Sequence, residues 1–293
     1  MRKIKKRSAS DWVLDIFIYS FLIFLTIVTV YPMWYVVVAS FSPASYIVNQ
    51  GSRLIWPGQF TLRAYEMAFE HRSLMSGFKN SILILVMSLP INLILTLLCG
   101  YFMASSKMLW KKPIIYMMLF TMFFSGGLVP CYLNVKQLGL YDSLWALVFP
   151  GALSIYNANI CKTAMEGIPE SLSESAYIDG ANDFQVLFKI LVPLLKPTLA
   201  VLTLYYGVAH WNGWFAASIY LERDELKPAQ LILRNLLVAN KALDNESGAS
   251  DFAQYAEAIQ YAAIVIITVP ILCVYPFLQK HFAKGVMIGA VKG

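Results

Sequence analysis

Charge is scarce in this 293-residue chain: Asp, Glu, Lys and Arg make up only 14% of it, against 58% hydrophobic residues. So few charges do not cover the surface of a soluble domain, and a mean hydropathy of +0.60 argues the same way. Cysteine is equally thin. Cys99, Cys131, Cys161 and Cys273 lie in or beside apolar runs with no CxxC spacing, which argues against a disulfide framework or metal cluster and leaves them as buried small apolar residues. Of the three histidines, His71 and His281 read as solvent-facing, and His210, inside an apolar run, reads as a helix–helix hydrogen-bonding group. The patterns GxxxxGK[ST], GxSxG and HExxH are all missing. The chain has no phosphate cradle of its own, and neither a hydrolase centre, a metal site nor a cofactor is expected. Internal repeats, low-complexity tracts and heptad runs are absent too.

What the chain has instead is apolar runs of membrane-spanning length, about 20 residues each. They fall near residues 15–41, 81–104, 113–133, 144–162, 198–221 and 258–279 and predict an all-α membrane protein with six transmembrane helices. The N-terminal basic stretch Arg2–Arg7 precedes a long apolar run without a small-residue cleavage site, so the first span is read as uncleaved. With six spans, 14 of the 23 basic residues collect on the side of both termini and loops 2–3 and 4–5. The excess of Lys and Arg places that side in the cytoplasm. The net charge of +6 is then a mark of topology and gives no reason to expect nucleic-acid binding. The divisions expected are a cytoplasmic N-terminal segment 1–14, a membrane domain 15–280 and a cytoplasmic tail 281–293. On the outer side lie Ser42–Phe78, Asn134–Asp142 and Leu221–Tyr255, the last mixing acids and bases as a solvated face does. Gly126, Gly127 and Pro130 break or thin the third span near its outer end.

The segment between the fourth and fifth spans, about 166–197, is far longer than a reconnecting turn requires. It reads as two short helices. Pro169 suits a first helical position, with Glu170 and Glu174 near the positive end of the dipole. Gly180 sits where a residue of positive φ ends a helix. Asp183 reads as the next N-cap, with Phe184, Leu187, Phe188 and Leu191 as one apolar stripe, Lys189 near the negative end and Pro193 as the stop. Such a knob fits a groove on another protein; an amphipathic loop lying on lipid is the alternative.

This spacing resembles the EAA loop of ABC importer permeases: Glu-Ala-Ala, three residues, Gly, nine residues, Ile-x-Leu-Pro. Glu174, Ala176, Gly180, Ile190 and Pro193 match in register, with Ser175 and Val192 as departures. The segments Phe124–Pro130, Leu138–Leu140, Gly207–Phe215 and the ending from Gln279 to Gly293 look like those of carbohydrate-importer permeases of the maltose-permease type. Within that group the likeness is to the branch handling complex plant- or algal-type oligosaccharides. The resemblance covers nearly the whole chain. It implies a type I importer permease fold and a subunit in a bacterial cytoplasmic membrane. It further implies a homologous second permease, an ATPase dimer that docks the Glu174 loop, and an extracytoplasmic solute-binding protein. Ion-gradient-driven secondary transport is the alternative, disfavoured because carboxylates concentrate in loops rather than spans.

Polar and aromatic side chains within the spans mark a path for the solute. The fourth span carries Tyr156, Asn157 and Asn159; the fifth carries Tyr205, Trp211, Asn212 and Trp214. At membrane depth such groups face protein or a water-filled cavity. Rings and amides together suit a sugar, with its C–H faces on the rings and its hydroxyls on the amides. Two readings stay open: these residues line the path, or the asparagines fix helix packing and the tryptophans anchor at the interface.

Overall fold

A backbone can cross hydrocarbon only if its N–H and C=O groups bond within their own segment, and this chain meets that demand with helices. The computed structural model describes residues 9–105, 109–243, 257–274 and 276, and among these every regular element is helical. The expected N-terminal segment lies partly, and the tail 281–293 with His281 wholly, outside the described residues. So does the acidic part of the last external loop from residue 244. The chain divides into two compact units, Met1–Glu70 with Leu236–Ile266, and His71–Asn235 with Ile267–Gly293.

In the first unit, α1 (Ala9–Ser40) is apolar around its whole circumference, as a lipid-facing helix is. Two of its hydroxyls are satisfied within the helix: Thr26 and Thr29 each donate to the carbonyl one turn back, at 2.7 and 2.9 Å. The segment after it is folded rather than merely turn-rich. Trp34 Nε1 donates to the Ile55 carbonyl at 2.8 Å, and Phe41 stacks on Phe60 and leans on Tyr65.

The second unit is organised around α2 (Arg72–Ala104), which begins well before the apolar run at 81 and reaches about 50 Å at helical rise. It packs along α5 (Ile155–Glu166) and α8 (Lys196–Trp211). A β-carbon on Gly100 would stand 3.0 Å from Cys161 Cβ, so the close approach of α2 and α5 requires glycine there. The third span is broken as expected. α3 (Lys111–Phe123) and α4 (Leu128–Gln137) meet at 113° across residues 124–127.

Two other spans depart from the expected continuous helices. The run 144–162 is interrupted: a short helix Trp145–Val148 is followed by irregular backbone before α5, whose N-cap Ser154 accepts the Asn157 N–H. The run 198–221 breaks at Asn212-Gly213, between α8 and a short helix Trp214–Tyr220. The loop after it is also a correction, since it contains a helix, α9 (Ala229–Leu243). The last span is α10 (Glu257–Val274). Three described helices are long and apolar enough to cross a membrane alone, and two bent pairs bring the number to five.

The break before α5 frees carbonyls at depth, and α2 satisfies them. Asn92, fully buried, donates from Nδ2 to the carbonyls of Gly151 and Ala152 at 2.9 and 2.8 Å. Its Oδ1 meets His210 Nε2 of α8 at 3.0 Å, the helix–helix role expected of that histidine. Beside it, Tyr206 OH accepts the Ser154 N–H at 3.0 Å and lies 2.7 Å from Thr96 Oγ1. Two other expectations fail in whole or in part. His71 is half-buried with Nδ1 shut from solvent, and of the cysteines Cys99 and Cys161 are buried as expected whereas Cys131 and Cys273 are exposed.

Asn92→Leu keeps the volume but strips two carbonyls of their donor, each worth about 1–3 kcal/mol when buried. The substitution is expected to lower the melting temperature of the detergent-purified protein by several degrees. Ser88, one turn earlier and fully buried, has an Oγ without a bonding partner among the described residues. Ser88→Ala is therefore expected to be neutral or stabilising in the same thermal scan.

Candidate functional site

The loop between α5 and α8 folds as two helices, α6 (Ser171–Ile178) and α7 (Asp183–Leu194). α6 starts two residues after Pro169, with Glu170 at its N-cap rather than within the helix. It ends in a Schellman turn: the Ala181 N–H reaches the Ala176 carbonyl at 2.9 Å, and the Gly180 N–H reaches Tyr177 at 3.0 Å. Gly180 holds φ at +83°, as its position predicts, and an added Cβ would meet nothing within 4 Å. Its constraint is thus purely backbone.

The N-cap of α7 is Asn182, not Asp183. Asn182 Oδ1 accepts the Gln185 N–H at 2.9 Å, while Gln185 Oε1 accepts the Asn182 N–H at 3.0 Å, a reciprocal capping box. Asp183 is taken by another task. Its Oδ1 accepts from Tyr177 OH at 2.5 Å and from Tyr101 OH at 2.8 Å, and the two hydroxyls lie 2.9 Å apart. Burial first, then the bond to Asp183, pushes the Tyr177 hydroxyl up, so it stays a proton donor. Tyr101 belongs to α2, so this trio ties the last turn of a spanning helix to both loop helices.

The apolar stripe is also redistributed. Val186–Leu191 is wound as a π-helix. A wider turn separates residues that an α-helix would align. Val186, Leu187 and Leu191 go inward, whereas Phe184 and Phe188 face out at 67% and 42% exposure. Ile178, at 86%, joins them on the outer surface. Pro193 does not end the helix, which continues to Leu194 and then meets α8 at 85°. Of the five loop positions matched in sequence, Ala176 is buried and Ile190 packs at the core's edge, whereas Glu174, Gly180 and Pro193 are exposed. That core is shared: Ala176, Val186, Leu187 and Leu191 pack with Leu97 of α2, Cys161 and Met165 of α5, and Leu202 of α8.

The path candidates separate into two groups. Tyr156 and Asn159 on α5, and Tyr205 and Asn212 at α8, are exposed. Asn157 and Trp211 are buried, and Trp211 packs: its Nε1 donates to the Ile267 carbonyl at 3.1 Å and its ring meets Phe78 edge-on. Trp214 is half-buried beside Leu231, with the Arg234 guanidinium over its ring. Nearby, Asp142 accepts the N–H groups of Glu222 and Arg223 and the Arg223 side chain at 2.6 Å. Those bonds, led by the Arg223 backbone N–H, hold its carboxyl below the usual range.

Residues 62–288 match the family of binding-protein-dependent transport system inner membrane components. The chain belongs to this family. It is 37% identical to the polygalacturonan/rhamnogalacturonan transport system permease protein YtcP of Bacillus subtilis (strain 168), over 95% of this chain and 98% of that protein. It is 38% identical to Protein LplC of the same organism, over 91% and 90% of the two chains. Its fold superposes with a TM-score of 0.86, at 29% identity, on a chain of a bacterial ABC transporter involved in the import of the acidic polysaccharide alginate. That match covers 94% of this chain and 99% of the other. The permease is therefore a multi-pass membrane protein with an ABC importer permease fold.

Sequence alone missed Tyr101, Tyr177 and Asp183 as a unit, since Asp183 stands where a cap is expected and Tyr101 is 82 residues away in the chain. Asp183→Ala leaves the Asn182 cap intact but removes the acceptor both tyrosines share. For a permease driven by a separate ATPase through this loop, the expected result is unchanged ATPase binding while transport per ATP hydrolysed falls several-fold. Paired uptake and hydrolysis measurements in proteoliposomes check this, and an unchanged ratio would count against the link.

Proposed function

We propose that this permease is the membrane subunit of an ATP-driven, binding-protein-dependent importer of an oligosaccharide. The single observation that carries the reading is the loop of residues 171–194. It offers Ile178, Phe184 and Phe188 outward while its inner face shares a core with three membrane helices. A surface made for another protein, on a base fixed to the spans, is what coupling to a separate ATPase requires. The relatives' names, which speak of polygalacturonan and rhamnogalacturonan transport and of alginate import, support a sugar polymer as cargo.

The working assembly is this chain with a homologous permease, two ATPase subunits and an extracytoplasmic solute-binding protein. Six spans are assigned, the fourth being the interrupted run 144–162, with both termini and the Glu174 loop in the cytoplasm. The membrane domain is 15–280, between a segment 1–14 and a tail 281–293. Glu174, Ala176, Gly180, Ile190 and Pro193 form the docking element: Ala176 and Ile190 fix it inward, Gly180 turns the chain, and Glu174 faces a donor on the ATPase. Tyr156, Asn159, Tyr205 and Asn212 line the solute path with Trp214 at its edge, whereas Asn157 and Trp211 hold the helices around it.

Gly180→Asp forces a β-branchless but full side chain into a left-handed backbone at a cost of about 1–2 kcal/mol. It also adds charge to the docking face. It is expected to abolish transport by weakening ATPase attachment, with the permease still inserted, and Glu174→Ala is expected to lower coupled hydrolysis more mildly. Co-purification of the ATPase and substrate-stimulated hydrolysis in reconstituted membranes measure both. Wild-type values for Gly180→Asp would remove the loop from the coupling path. Ion-driven uptake without an ATPase would favour secondary transport.

A further inference from the structure

Arg234 is an exposed cation on α9, within the segment that reads in sequence as a solvated mixture of charges. Its guanidinium carbon lies 4.2 Å from the centre of the Trp214 ring. Lying against an aromatic face, a guanidinium keeps its N–H fork available for a planar anion. The neighbouring cations are already matched, Arg223 with Asp142 and Lys227 with Asp224. Among the described residues Arg234 has no carboxylate within ion-pair distance.

The ring beneath it is fixed. Trp214 packs against the cluster of Ala217, Leu221 and Leu231, so the guanidinium rests on a stationary platform. One turn earlier on the same face of α9, Gln230 Nε2 donates to Asn212 Oδ1 at 3.2 Å. Asn212 and Trp214 flank the bend where α8 ends, and Gln230 and Arg234 face them from α9. The quartet therefore makes two rungs, one of amides and one of ring and cation. Four residues of helix set them about 6 Å apart along the axis, close to the breadth of one pyranose ring.

We propose that this quartet is a subsite for an acidic sugar, a hexuronate unit of an oligosaccharide. Its carboxylate takes the Arg234 fork in two parallel bonds, and its ring hydroxyls meet the amides of Asn212 and Gln230. A neutral sugar leaves the cation unmatched, and a bare phosphate reaches only one rung. The inference rests on the permease reading and adds the residues of this chain that read the charge of the cargo.

The test uses the complete transporter, with its ATPase, partner permease and binding protein, in proteoliposomes. Uptake of trigalacturonate is compared with its fully methyl-esterified form, which has the same skeleton without the negative charges, and with neutral galactotriose. The wild type is expected to prefer the acid to the ester. Arg234→Gln should cut that preference, read as the ratio of kcat/KM values, about tenfold, as loss of a charge-assisted bidentate pair does. Arg234→Lys, retaining charge without the fork, should fall between. A ratio unmoved by either variant, or equal losses for both probes, overturns the subsite. So does a wild type that imports galactotriose but not trigalacturonate, an outcome that leaves the permease reading standing. Absence of ATP-dependent uptake of all three overturns both.

Discussion

The helices of the loop between α5 and α8 have no core of their own. α6 spans 8 residues, too few to persist as an isolated helix in water. It is ordered because Ala176, with Val186, Leu187 and Leu191 of α7, is buried among Leu97, Cys161, Met165 and Leu202. The loop and the ends of α2, α5 and α8 therefore share one apolar cluster. Close-packed interiors shift as bodies rather than deform continuously. A displacement applied at Ile178 or Phe188 must then carry those helices with it, and the Tyr101–Tyr177–Asp183 trio adds a directional bond to the same joint. This is the physical content of the coupling proposed for this permease: an ATPase influences the membrane equilibrium only through contacts that differ between its states.

A second constraint operates at membrane depth. The interruption before α5 exposes backbone that lipid cannot satisfy; Asn92 and Tyr206 supply the missing partners, and His210 and Thr96 bond those two side chains in turn. Those side chains come from α2 and α8, so the same bonds that permit the break also bind the three helices together. Irregular backbone is tolerated because protein surrounds it. The break has a consequence for the proposed solute path: α5 starts afresh at Ser154, and its first turns present Tyr156 and Asn159 on an exposed face while Asn157 turns inward.

Features set by one residue or a few neighbours were legible in the sequence. Gly180 reads correctly because a left-handed residue after a helix favours glycine whatever surrounds it. The break at Ser125–Pro130 reads correctly because glycine and proline cluster there. Features that depend on distant partners were not legible. Pro150-Gly151 hides inside an apolar run, and hydropathy averages across the gap that Asn92 fills from 59 residues away. Asp183 and Asn182 are both good caps, and only the two tyrosines decide between them. Phe184 and Phe188 fit an α-helical stripe until the π turn separates them from Leu187 and Leu191. Arg234 looked like one solvated charge among several because nothing local points to Trp214, 20 positions earlier. The amphipathic pattern of α9 was there to be read, but the charges around it concealed the helix.

The most direct test of the shared core is a pair of distances measured by double electron–electron resonance. One spin label goes on the exposed Ile178 of the loop and the other on Thr163, exposed on α5. A second pair joins Ile178 to a site on the ATPase. Between nucleotide-free and ATP-bound states the account predicts an unchanged Ile178–Thr163 distance, whatever happens at the ATPase. A change in that distance comparable to one helical turn, about 5 Å, would show the loop sliding over the spans and would contradict the account.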